Sequence, residues 1–229
     1  MKIKFFTNIA FDNKKVRPRD IRNIMMSAVS AINKETADKI GNKDKDKHSQ
    51  SLFVYPKPRS RSFELISYAD DVNALAEVEA VLIGKSLSLG GTDVVVSKCE
   101  WSDEGYAKTE KELIIYKTRT PIVISSNSIE HKIVHARSKN GNLDEYIQQK
   151  ILDLIKIQNK EFFGKETEMD DFAIKILDSN KVTVSADSTN GKYSQAVFAS
   201  FVSSYTLPRF VGYLSGLGYG ELLDTTKKR

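Results

Sequence analysis

At 229 residues, with 40% apolar and 28% charged residues, the chain is long enough for two α+β units of about 110 residues each, either able to bury a core. No apolar run approaches the ~18 residues of a membrane span, and the opening Met1-Lys-Ile-Lys-Phe-Phe-Thr-Asn is too short and polar for a signal peptide, which predicts a cytoplasmic protein with no membrane partner. The single cysteine, Cys99, excludes an internal disulfide and a cysteine-cluster zinc site and fits a reducing compartment. The net charge of +5 is unevenly spread: residues 1–70 carry fifteen Lys/Arg against eight Asp/Glu, residues 71–110 three against eight, and residues 111–142 six against two. Two basic regions around an acidic one suit a polyanion on one side, although solvated lysines produce the same count.

Residues 2–11 alternate and are rich in Phe and Ile, which predicts a first strand. Pro18 opens a helix whose apolar residues Ile21, Ile24, Met25, Ala28 and Ile32 follow the helical period, with an end near Gly41. After a charged loop over 41–50, residues 51–55 and 62–67 form a predicted strand pair across Pro56-Lys-Pro-Arg-Ser-Arg. A second helix over 71–85 offers Val72, Leu75, Ala76, Val78 and Leu82 to a core, and Gly90-Gly91 leads into a strand over 92–101. That order, βαββαβ, predicts a ferredoxin-like unit over residues 1–102.

Residues 103–110 read as a linker, and a second, irregular ferredoxin-like unit is predicted over 111–229. It comprises strands at 112–116 and 122–125, a long helix marked by Leu143, Ile147, Ile151, Leu154, Ile155 and Phe162, a hairpin of 172–177 with 182–185 across Asp178-Ser-Asn-Lys, and a strand over 193–203. The fold class is therefore α+β with two tandem βαββαβ halves. A glycine cluster at Gly212, Gly216, Gly218 and Gly220 takes the place of the last helix. Glycines allow positive φ and close backbone approach, so the cluster suits either a phosphate-binding loop of bare amides or a tight turn between strands.

The chain resembles the CRISPR-associated endoribonucleases that cut repeat RNA into guide RNAs, in the repeat-associated mysterious protein (RAMP) superfamily. Gly212, Gly218 and Gly220 fall in the register of that family's G-h-G, five residues, G-h-G loop, with Phe210 at the first glycine position and no basic residue in Tyr213-Leu-Ser-Gly-Leu. His48 follows the first helix, where cleaving members carry a histidine, with Tyr55 and Lys57 behind it. Tyr116-Lys-Thr-Arg-Thr-Pro-Ile-Val-Ile resembles the strand that opens the family's second half, and residues 143–163 resemble its long helix.

The resemblance implies metal-independent cleavage of repeat RNA by its 2′-hydroxyl, leaving a 2′,3′-cyclic phosphate. His48 is the candidate for proton transfer, because a pKa near ~6.5 keeps both imidazole forms present at neutral pH. Lys57 is the candidate to stabilise the phosphorane and Tyr55 to hydrogen-bond the scissile region. Arg59, Arg61, Lys117, Arg119, His131, Arg137 and Arg209 are the expected phosphate track, with Gly212, Gly216, Gly218 and Gly220 beside it, and Phe53, Tyr55 and Phe63 as base-stacking candidates or core residues. His131 and His135 share a helix face but lack a third ligand, so no metal and no cofactor are expected. Gly164-Lys-Glu-Thr is not a P-loop, and Gly216-Leu-Gly-Tyr-Gly is not a dinucleotide fingerprint. The partners implied are RNA and other subunits of a CRISPR-associated complex. A non-catalytic RNA-binding subunit and a metabolic enzyme on the same fold are the alternatives.

Overall fold

The computed structural model describes residues 1–41, 53–68, 71–103, 111–125, 128–141, 143–163, 172–187 and 192–226. They form a mixed α+β structure with antiparallel sheets, divided into two compact units. The first takes in the described residues up to 103 together with Gly216–Gly218, and the second takes in the rest.

In the first unit, β1 (Lys2–Thr7) buries Ile3, Phe5 and Thr7 on alternate positions, as a half-buried strand must. The helix α1 (Pro18–Ser30) starts where the Asp20 carboxylate accepts the Arg17 N–H at 2.8 Å and its guanidinium at 3.1 Å. Burial opposes the charge on Asp20, but those bonds outweigh it and hold the carboxyl below its ordinary range. The predicted continuous helix to Gly41 is in fact two. Asn33 caps the Thr36 N–H at 3.2 Å to begin α2 (Lys34–Ile40) and donates to Glu77 at 3.1 Å, so the chain turns there and Ile32 is 76% exposed rather than in the core.

The remaining strands are β2 (Phe53–Val54), β3 (Ser62–Ser67), β4 (Ser86–Leu89) and β5 (Thr92–Ser102), with α3 (Val72–Leu82) between β3 and β4. Asp71 caps α3 through the Ala74 N–H at 2.9 Å, and this sets its buried face to Ala74, Leu75, Val78 and Leu82. Val72 and Ala76, expected inside, lie outside. Sheet order is β2-β3-β1-β5-β4. The strand β4 adds an edge that the periodicity missed: Gly90 and Gly91, at φ 59° and 85°, make a two-residue hairpin turn between Leu89 and Thr92. Ile21, Met25, Leu75 and Val78 from the helices share one core with Ile3, Phe5, Phe63 and Leu65 from the sheet, where the rings of Phe5 and Phe63 stack at 5.3 Å.

The second unit holds β6 (Lys111–Thr118), β7 (Ile122–Val123), α4 (Ser128–Lys139), α5 (Leu143–Phe163), β8 (Ile174–Asp187), β9 (Lys192–Tyr205) and β10 (Leu222–Asp224). Sheet order is β10-β6-β9-β7, with β8 pairing β9. Helix α5 buries Ile147, Ile151, Leu154 and Ile155 against Ile114, Tyr116, Val197 and Phe201. The hairpin expected across Asp178-Ser-Asn-Lys does not exist. Those residues pair with Val197–Ser200 inside one long strand, and the register shift between Ile176 and Asp178 absorbs their turn preference as a bulge. Cross-strand pairing along the whole length of β9 overrides the local turn signal.

Cys99 faces α3: its thiol donates to Glu79 Oε1 at 2.9 Å, and Trp101 Nε1 donates to Glu79 Oε2 at 2.8 Å. Burial first, and the Glu79 carboxylate second, push the thiol up to about 11. Iodoacetamide labelling at pH 8 is therefore expected to run about a hundredfold slower than for a free cysteine, and Glu79→Gln is expected to recover part of that rate. Equal rates for the two proteins, followed by mass spectrometry, contradict the assigned cause.

Candidate nucleic-acid interface

The expected site residues fall into three groups. Lys57, Arg59 and Arg61 are exposed on the β2–β3 connection, where Arg59 N–H donates to Ser62 O at 2.8 Å and closes the turn. None of the three has an ion-pair partner among the described residues. They form a cationic tip on the first unit, built because buried Pro56 and Pro58 anchor the chain on either side of Lys57. On the second unit Lys117 and Arg119 are exposed on and just beyond β6, and His135 and Arg137 are exposed on α4. The backbone of His131 lies on α4. His48 lies outside the described residues.

The second group is interior. Tyr55 is fully buried, its hydroxyl donates to Ile40 O at 2.8 Å, and burial pushes its pKa far up. It is a core residue that ties β2 to the end of α2, so the expectation that it contacts the scissile region is corrected. Phe53 and Phe63, read from the sequence as base-stacking candidates or core residues, belong to the same core. Phe53 lies on β2, Phe63 on β3 and Tyr55 just past β2, and all three rings are part of the core shared with the helices.

The third group is the glycine loop. Gly212, Gly218 and Gly220 have φ of 101°, 77° and 73°. A Cβ on Gly220 would lie 1.8 Å from Val211 O, and one on Gly218 would lie 2.8 Å from Tyr55 O and 2.9 Å from Pro18 Cγ. These glycines thus permit close approach of protein to protein, and Gly216 O accepts the Tyr55 N–H at 3.4 Å. Three amides of the loop, of which Gly220 is one of the expected positions, are engaged internally: Val211 N–H on Gly220 O at 3.0 Å, Tyr213 N–H on Val123 O at 3.1 Å, and Gly220 N–H on Pro121 O at 3.0 Å.

Arg209 is likewise committed. It donates to Glu221 Oε1 from Nε at 3.1 Å and from Nη2 at 2.8 Å, and Arg119 Nη1 reaches the same oxygen at 3.4 Å. The Glu221 side chain is 2% exposed, and its N–H donates to Thr120 Oγ1 at 2.8 Å. The threonine before Pro121 and the glycine loop, far apart in sequence, are therefore one hydrogen-bonded assembly. Sequence reasoning did not select Glu221, although an acid directly after the last glycine in an otherwise apolar stretch was the available signal. It also passed over Arg22 on α1, which is half-buried, has a buried Nε with no partner among the described residues, and is held below its ordinary value by burial. A buried guanidinium N–H without an acceptor is unfavourable unless an anion meets it.

Gly84 and Gly220 share nearly the same φ, 77° and 73°, but a Cβ on Gly84 meets nothing within 4 Å. Gly84→Ala is expected to cost about 1 kcal/mol, the strain of the left-handed region alone. Gly220→Ala is expected to cost at least ~3 kcal/mol, because backbone must also move. Urea midpoints that rank the two variants the other way overturn this account of the loop.

No protein-family model matches the chain, and no curated protein sequence matches it. Solved structures do. A crystal structure of Cas6b is similar at TM-score 0.68 with 13% identity, over 98% of this chain and 100% of that one. A RAMP protein described as binding different RNA substrates is similar at 0.62 with 12% identity, over 97% and 98%. A Cas6-related protein from Pyrococcus furiosus is similar at 0.61 with 10% identity, over 100% and 99%. Likeness along the whole chain at such low identity is likeness of fold, and the fold of this chain is similar to that of these Cas6 and RAMP structures.

Proposed function

We propose that this chain binds CRISPR repeat RNA and cuts it into guide RNAs without a metal or cofactor, as an endoribonuclease. The observation that carries the reading is the fold likeness over 98% of the chain to Cas6b, a protein that a second structure describes as a CRISPR RNA processing endoribonuclease. Each unit is taken as one ferredoxin-like half, since the orders β2-β3-β1-β5 and β8-β9-β6-β10 both follow the antiparallel arrangement of a βαββαβ unit. The second half has lost its last helix to the glycine loop.

In this reading the RNA 2′-hydroxyl attacks the adjacent phosphorus, a P–O bond forms, and the bond to the 5′-oxygen breaks. The products are a 2′,3′-cyclic phosphate and a 5′-hydroxyl. His48 moves the proton, and Lys57 meets charge on the phosphorane. Arg59, Arg61 and Lys117 meet flanking phosphates as charge-assisted contacts. Arg22 joins them, since a bound phosphate supplies the acceptor that its buried Nε lacks among the described residues. The cytoplasm and a larger ribonucleoprotein are the expected setting.

A second reading, an RNA-holding subunit that does not cut, has specific support. Tyr55 is spent in the core, Arg209 is neutralised by Glu221, and three of the loop's amides bond internally. Cleavage separates the two. Labelled repeat RNA incubated with the protein in EDTA is expected to yield cyclic-phosphate ends, His48→Ala is expected to lose at least about a hundredfold in rate, and its affinity is expected to stay within about twofold. Tight binding with no product at long incubation supports the second reading. Removing Arg59 or Arg61 is expected to make the dependence of log K on log salt shallower by about one unit each, and a wild-type affinity indifferent to salt rules out both.

A further inference from the structure

The second unit buries a cation to which the RNA-processing reading gives no task. Lys150 on α5 and Glu130 on α4 are each only 16% exposed and form a short ion pair. Lys150 also donates to Tyr213 Oη at 3.3 Å, and its ammonium lies 5.2 Å from the centre of the Tyr213 ring. Burial by itself pulls the Lys150 pKa down, but the bonds to Glu130 and Tyr213 outweigh it and hold the group charged. A buried pair of this kind adds little to stability compared with apolar residues of similar volume, so stability alone does not account for it.

Tyr213 is held from its other side as well. Its N–H donates to Val123 O at 3.1 Å in an isolated antiparallel bridge, and Gly212, at φ 101°, lets the backbone lie where a Cβ would sit 2.7 Å from Ile122 Cγ2. The next residue, Leu214, has φ 60° and is the one non-glycine residue in the left-handed region among the described residues. A side chain there is strained, and left-handed leucine persists only where neighbouring contacts over-determine it.

We infer that Lys150 and Glu130 are positioning residues: they clamp Tyr213 against Val123 and thereby keep Leu214 left-handed, presetting the glycine loop for RNA. The clamp is a statement about the loop's conformation, and only its purpose rests on the function proposed above. A pair that merely joined α4 to α5 would be indifferent to the backbone at 214. The clamp instead predicts coupling, because glycine at that position removes the strain the clamp resists.

The test compares the wild type, Glu130→Gln/Lys150→Met, Leu214→Gly, and the three changes combined. Removing both charges together leaves neither buried alone, which favours a folded variant. Two quantities are read: hydrogen exchange at the Tyr213 amide and affinity for repeat RNA. The pair variant is expected to exchange about tenfold faster at Tyr213 and to bind about tenfold more weakly. Adding Leu214→Gly is expected to bring both back to within about twofold of Leu214→Gly alone. Losses of equal size in both backgrounds overturn the clamp. A wild type without RNA affinity removes the functional reading, and the exchange measurement then decides the clamp by itself.

Discussion

One buried carboxylate, that of Glu221, governs the course of the C-terminal segment. Taking a carboxylate out of water is costly, and two guanidiniums, from Arg209 and Arg119, converge on a single one of its oxygens to offset that cost. Its backbone is held at the same time: the N–H bonds to Thr120 and the carbonyl accepts the Arg119 N–H at 2.7 Å. The segment around Gly220 is consequently locked to the Thr118–Pro121 bend, and the approach of Gly220 to Val211 O follows from that lock.

This constraint redistributes charge. Arginines that sequence position suggests for RNA contact are divided between those consumed inside and those left free. Arg209 is consumed, while Lys57, Arg59 and Arg61 remain exposed without ion-pair partners among the described residues. In the first unit the segment Gly216–Gly218 reaches Tyr55 and Pro18 at the start of α1, the helix that carries Arg22, whose buried Nε has no partner among the described residues. Cations available to an anion therefore arise where turns and helix ends leave them unpaired, rather than wherever basic residues are dense.

Much of the framework was legible in the amino-acid order. Strand β1 and helix α5 lie where alternation and a 3.6-residue period put them, because each has one buried face and nothing competes with it locally. The failures also have physical causes. Asn33 looks like an interior residue of one helix until its side chain caps another. Asp178-Ser-Asn-Lys looks like a turn until the fourteen residues of β9 supply partners along its length. The short strand β4 is too brief to show a period and exists because two left-handed glycines fold it back on β5.

The candidate site divides along the same line. Residue order by itself determined the α+β class, the chain's excess of positive charge and the long helix, since these depend on local geometry and composition. Only the tertiary structure decided that Tyr55 points inward, that Glu221 takes Arg209 and Arg119, that the Arg22 Nε is left without a partner among the described residues and that Lys150 reaches Tyr213. A side chain's hydrogen-bond partner comes from residues distant in sequence, and its burial from the whole core, so neither can be read from its neighbours along the chain.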